Sequence, residues 1–96
     1  MGLYISLCNW TEQGIKNVKQ TTKRLDAAKK AAAKQGITIR DTYYTMGKYD
    51  FVIVSDAPND EALSRFLLGV GALGNAHTLT MRAFSVDEMN GIIGKI

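Results

Sequence analysis

The chain has 96 residues, a formal net charge of +3, 46% apolar residues and one cysteine. That length predicts a single domain, residues 1–96, able to bury roughly 65% of its unfolded surface, so association with a second copy would add useful core. The composition excludes a disordered chain, one cysteine excludes an internal disulfide, and no apolar run approaches the roughly 18 residues of a membrane span.

Charge is unevenly spread. Residues 12–36 hold seven Lys or Arg against two acids, while the remainder holds five against seven. A basic helix face of this kind attracts anions, or simply keeps the surface solvated. Cys8 lies in an apolar run and reads as a buried thiol rather than a nucleophile. Its solitude fits a reducing, cytoplasmic location. The first residues, Met1-Gly2-Leu3-Tyr4, lack the basic start and long apolar run of a signal peptide.

Leu3 to Cys8 alternates as a half-buried strand, with Leu3, Ile5 and Leu7 on one face and Tyr4, Ser6 and Cys8 on the other. Thr11 is placed to cap a helix. Ile15, Val18, Thr22, Leu25, Ala28 and Ala32 then recur at steps of three and four, giving an amphipathic helix with a narrow seam of small residues. Gly14 and the Thr21-Thr22 pair weaken its start and allow a break near Thr21; Gly36 ends it. Ile37 to Thr45 predicts a second strand, Ile37 and Ile39 on one face and Thr42 and Tyr44 on the other. Met46-Gly47-Lys48 is a turn in which Gly47 supplies positive φ. Tyr49 to Ser55 is apolar almost throughout, as in a central strand.

Asn59 caps a second helix, with Asp60 and Glu61 favoured in its first turn. Ala62, Leu63, Phe66, Leu67, Val70 and Leu73 form its apolar face, and Gly74 stops it. Ala76 to Phe84 is the last strand, and Asp87 to Ile96 predicts a short terminal helix. The order βαββαβ predicts an α+β, ferredoxin-like fold: a four-stranded antiparallel sheet with both main helices on one face.

Parity gathers Tyr4, Ser6, Cys8, Thr42, Tyr44, Thr78, Thr80 and Arg82 on one sheet face. We place that face away from the helices. Its mixed polarity suits neither open water nor a dry core, and a second subunit covering it would enclose a ligand cavity.

Several stretches carry a resemblance: Thr11–Ile15, Lys23–Lys29, Thr45–Asp50, Asp56–Ala62, Gly74-Asn75 and Thr78–Phe84. Together they resemble the GYD family, named for its Gly-Tyr-Asp signature, across nearly the whole chain. The resemblance implies a ferredoxin-like subunit that forms dimeric α+β barrels, and no settled activity. It also places an arginine where this chain has His77, so an anion site built on that position does not carry over.

With the first and third strands taken as parallel at the sheet centre, Tyr4, Tyr44, Tyr49, Asp50 and Arg82 converge on one edge. Asp50 then serves as acid or base with Tyr44 or Tyr49 as donor. Arg82 holds an anion, and Tyr4 and Gly47 help to bind it. Alternatively, Asp50 caps the Gly47 turn or forms an ion pair, and the tyrosines are interface packing. His77 lies on the opposite face from Arg82 and lacks the partners of a metal site; Cys8 alone does not complete one. A bulge in the last strand would turn it toward the cavity.

Gly69-x-Gly71-x-x-Gly74 matches a dinucleotide fingerprint in letters, yet it sits late in a helix instead of after a strand. Nucleic-acid binding has no aromatic platform to rest on, and no pattern calls for a cofactor. Three readings follow. The first is an oligomeric small-ligand-binding or regulatory module for an anionic or aromatic molecule. The second is a cofactor-independent enzyme, oxygenase- or isomerase-like, with its pocket between sheet and helices, as the resemblance to dimeric barrels implies. The third is a structural assembly subunit.

Overall fold

The computed structural model describes residues 2–96; Met1, the first residue of the amino-terminal stretch considered above, lies outside them. The sheet comprises β1 (Gly2–Trp10), β2 (Thr38–Tyr44), β3 (Phe51–Ala57) and β4 (Ala76–Ala83). Between β1 and β2 run the short helix α1 (Glu12–Lys16), a 3-10 turn (Val18–Gln20) and the long helix α2 (Thr21–Lys34), so the break expected near Thr21 is real. Helix α3 (Asp60–Ala72) joins β3 to β4, and α4 (Val86–Ile93) follows.

The strand order is β2-β3-β1-β4 and every adjacent pair is antiparallel. This is consistent with the ferredoxin-like expectation. It corrects the direction assumed for β3. A helical crossover returns the chain so that β2 runs with β1, and the tight turn after β2 then reverses β3. β3 therefore lies antiparallel to β1, with Cys8 opposite Phe51 and Tyr4 opposite Ser55.

Local chemistry explains the element ends. The Thr11 side chain accepts from the Gly14 N–H, and Asn59 accepts from the Ala62 N–H. Gly36, Gly47 and Gly74 adopt φ of 76°, 108° and 81°, the left-handed region in which a side chain is strained. Ser85 and Glu88 exchange reciprocal hydrogen bonds and start α4.

The sheet faces need a second correction. Tyr4, Ser6 and Cys8 are buried, at 5%, 3% and 0% exposure, beneath α2 and α3. Leu3, Ile5 and Leu7 lie on the open side, where their register partners include Val52, Val54, Leu79 and Met81. Parity sorted the residues into the right sets, but the sheet is apolar on both faces, so alternation could not say which set meets the helices. A third correction follows from a register shift between Ile39 and Asp41. The bulged Arg40 reverses parity within β2, so Ile39 joins Thr42 and Tyr44 on the helix side.

The buried core is small: Tyr4, Ala32, Ile37, Ala57, Leu63 and Phe66, with Ala28, Ile39, Leu67 and Val70 packed beside it. It occupies only part of the space between sheet and helices. Helix α4 buries none of its residues.

Candidate ligand chamber between sheet and helices

A side chain from a helix reaches a sheet across a gap that Leu or Phe fills and Ala does not. Helix α2 turns Ala27, Ala28 and Ala31 toward the sheet, and under them lies a cavity of about 520 Å3. Leu63, Phe66, Leu67 and Val70 of α3 complete its roof. Ser6, Cys8, Thr42, Ile53 and Thr78 belong to its floor. The volume lies within the roughly 300–1,000 Å3 typical of small-molecule sites.

Trp10, Tyr44 and Phe51 also line the chamber. Trp10 and Tyr44 stack with centroids 6.4 Å apart and planes 17° from parallel; Phe51 lies 5.7 Å from Trp10 and 5.8 Å from Tyr44. Burial is the main reason that the Tyr44 hydroxyl keeps its proton above the usual tyrosine range, with Arg24 opposing and Asp26 adding to the shift. Desolvation pushes the Cys8 thiol up to about 12, so it stays neutral and contributes only a weak contact to the Ser6 carbonyl at 3.7 Å.

Polar groups in the lining are few. Arg24 donates to the carbonyls of Asn17 (2.8 Å) and Gly14 (3.3 Å) and to Thr21 Oγ1 (3.1 Å), closing the end of α1. Ser6 and Thr80 hydroxyls bond each other at 2.8 Å. Two buried oxygens, Gln35 Oε1 and Thr42 Oγ1, have no partner among the described residues, and both residues line the chamber.

The residues expected to converge divide between the two ends of the sheet, as the antiparallel course of β3 requires. At one end, Asp50 Oδ2 accepts from the Trp10 N–H at 2.9 Å, and the Asp50 N–H donates to the Cys8 carbonyl at 2.9 Å. Its carboxylate thus pins the end of β1 to the start of β3. Tyr44 and Tyr49 share this end: Thr45 Oγ1 donates to the Tyr49 carbonyl at 2.6 Å, and Lys48 Nζ lies 5.8 Å from the Tyr49 ring centre. Gly47 forms the turn, with open space where a side chain would project.

At the other end, the Tyr4 hydroxyl donates to Asp60. That bond, burial and the Asp60 charge raise the Tyr4 pKa, while Arg82 lowers it in part. The Arg82 guanidinium sits 5.5 Å from the Tyr4 ring centre and 4.5 Å from that of Phe84. It donates to the Leu3 carbonyl at 3.0 Å and to the Ala83 carbonyl, and lies 3.9 Å from Glu88. Register across β1 and β4 is unbroken, so His77 pairs with Asn9 on the face opposite Arg82, as parity expected, but with the two faces exchanged that face is the open one. Among the described residues, no three His, Cys, Asp or Glu gather as a metal site.

Sequence reasoning put its preferred cavity on the other sheet face and named a pocket between sheet and helices only through the likeness to dimeric barrels; it missed Gln35 as a wall and read Leu67 and Val70 only as the apolar face of α3. The available signal was the alanine seam of α2, which marks a helix too slender to fill the space beneath it.

A four-stranded antiparallel sheet that carries two helices on one face, with an apolar chamber between them, defines the class. The chain belongs to the GYD domain family, whose model matches residues 4–93. It is 24% identical over 90 residues to a Thermus thermophilus protein named glutamine synthetase and cystathionine beta-lyase binding protein; the match spans 93% of this chain and 95% of that one. A crystal structure of a protein from Thermus thermophilus has the same fold, with a TM-score of 0.55 and 20% identity, covering 90% of this chain and 96% of that chain. Among the described residues, no helix is long and apolar enough to cross a membrane.

Proposed function

We propose that residues 1–96 form one ferredoxin-like domain that binds a small molecule in the chamber between sheet and helices and works as a homo-oligomer. The observation that carries this reading is the cavity of about 520 Å3 between α2, α3 and the sheet, lined mainly by apolar and aromatic side chains with a few hydroxyls among them. The open sheet face supports assembly as a dimeric α+β barrel: Leu79, Met81 and Tyr43 are 51%, 43% and 60% exposed there, and a second copy would bury them. The single thiol fits a cytoplasmic home.

In this reading Tyr44 is a ligand-contacting wall. Asp50, Tyr49 and Gly47 shape the turn beside it, and Tyr4 and Arg82 hold the far end of the sheet. An enzymatic role would rest on Tyr44 with Asp50, whose carboxylate already serves the Trp10 N–H. The name of the Thermus relative favours a regulatory extension, in which the module docks on a metabolic enzyme and ligand occupancy tunes the contact.

A thermal-shift screen against small metabolites tests the chamber. At least one compound should raise the melting temperature of the wild type, and Ala28→Leu, which fills the space beneath α2, should abolish that rise. No shift across a broad panel, or a shift that survives Ala28→Leu, refutes the reading. Sedimentation velocity tests the assembly; a monomer at micromolar concentration refutes it.

A further inference from the structure

The polar groups of the chamber have little to offer a ligand. Among the described residues Arg24 is the one charged side chain in the lining, and its guanidinium is already turned to two backbone carbonyls and the Thr21 hydroxyl at the end of α1. The Ser6 hydroxyl is bonded to that of Thr80 at 2.8 Å, and Asn75 Oδ1 accepts from Gln13 Nε2 at 2.9 Å. Gln35 Oε1 and Thr42 Oγ1 are shut in, with no surface that a ligand could touch. Most of the remaining wall is apolar or aromatic: the alanines of α2, the packed face of α3 and three rings at one end of the sheet.

A polar group entering such a space gives up its hydration. A hydroxyl that finds no partner loses about tenfold or more in affinity, and an ionised carboxylate loses more. A methyl group of the same size loses nothing and gains from leaving water. Trp10, Tyr44 and Phe51 stand with ring centres 5.7, 5.8 and 6.4 Å apart and make one aromatic wall. An aromatic ring packs on such a wall more favourably than its buried area alone accounts for.

Resting on the proposed binding role, we infer that the chamber takes an uncharged, predominantly apolar aromatic molecule, packed against Trp10, Tyr44 and Phe51 and held without a hydrogen bond or a counter-ion. Of the anionic and aromatic ligands that the sequence leaves open, this selects the aromatic.

Four probes of one ring each test it. Toluene carries a methyl group, phenol a hydroxyl of nearly the same size, and benzoate a carboxylate; methylcyclohexane has the bulk of toluene without its π-face. Each is titrated into the full chain and followed by amide chemical shifts. Trp10 is the only tryptophan, so its indole N–H gives one resonance that reports on the aromatic wall. Toluene should move that resonance to saturation and bind about tenfold tighter than phenol, with benzoate weaker still. Methylcyclohexane should bind more weakly than toluene once each affinity is divided by the probe's alkane–water partition coefficient.

Phenol binding as tightly as toluene overturns the lack of a hydrogen-bonding partner. Benzoate binding as tightly as either neutral aromatic probe overturns neutrality and points to Arg24. Methylcyclohexane matching toluene after the partition correction overturns the aromatic preference, and toluene shifts that leave the Trp10 indole signal in place overturn the seat on that wall. In each of these cases a molecule still binds and the binding role stands. If no probe binds at millimolar concentration this inference falls, and the binding role falls with it only if the wider metabolite screen is silent too.

Discussion

Gly14→Ala tests how tightly the ends of the molecule are locked. Helix propensity alone favours the change, by about 1 kcal/mol per glycine replaced within a helix. The structure opposes it. A Cβ at position 14 would lie 2.0 Å from the Asn75 carbonyl oxygen and 2.9 Å from its carbon, both backbone atoms. Non-bonded heavy atoms settle at roughly 3.5–4.0 Å, so the junction between α1 and the α3–β4 connection would have to open by about 1.5 Å. That movement breaks the bond from the Thr11 N–H to the Asn75 carbonyl (3.1 Å) and those from Gln13 Nε2 to the Leu73 carbonyl (3.0 Å) and Asn75 Oδ1 (2.9 Å). Three bonds at about 1 kcal/mol each, less the propensity gain, leave a loss of about 2 kcal/mol, or a fall in Tm of roughly 8–16 °C for a domain this size. Gly69→Ala is the matched control: nothing lies within 4 Å of its Cβ position, so it should gain about 1 kcal/mol. Urea denaturation of both variants beside the wild type gives the comparison. A Gly14→Ala protein as stable as the wild type would refute the close approach and the argument built on it.

Asp50→Ala strands the Trp10 N–H and should cost about 1–2 kcal/mol in denaturant titration, whereas Asp50→Asn keeps an acceptor and should cost less than half of that; equal losses would deny the carboxylate its bracing role. The Cys8 thiol, fully buried with its pKa pushed up to about 12, should not react with a disulfide reagent at pH 8 until the chain is unfolded, and prompt modification of the native protein would contradict its placement. Tyr4 holds its proton more tightly folded than unfolded, chiefly through its bond to Asp60. Its contribution is therefore complete below the unfolded value of about 10 and lost as pH rises through the higher folded value. Tm should consequently fall more steeply above pH 10 in the wild type than in Tyr4→Phe, and parallel curves would show that Tyr4 does not couple to folding.

The local readings that depend on neighbours along the chain were legible in advance: the caps at Thr11 and Asn59, the terminators Gly36 and Gly74, the break before α2, and the positive φ at Gly47. Each arises from backbone hydrogen bonding or steric freedom within a few residues. Parity likewise identified which β1 and β4 residues share a face. Arg40 shows how one inserted residue defeats that logic, because nothing in the letters Ile39-Arg40-Asp41 announces an unpaired position.

The amino-acid order by itself determined the elements and their succession, which follow from propensity, periodicity and capping, and it carried the family through the resemblance of its stretches. Only the tertiary structure decided that β3 runs against β1, separating Asp50 from Arg82, and that Tyr4, Ser6 and Cys8 lie beneath the helices. It alone showed the chamber, because empty space is a property of how far apart two layers stand. The alanines of α2 become a roof only once α3 and the sheet hold that helix away from the floor.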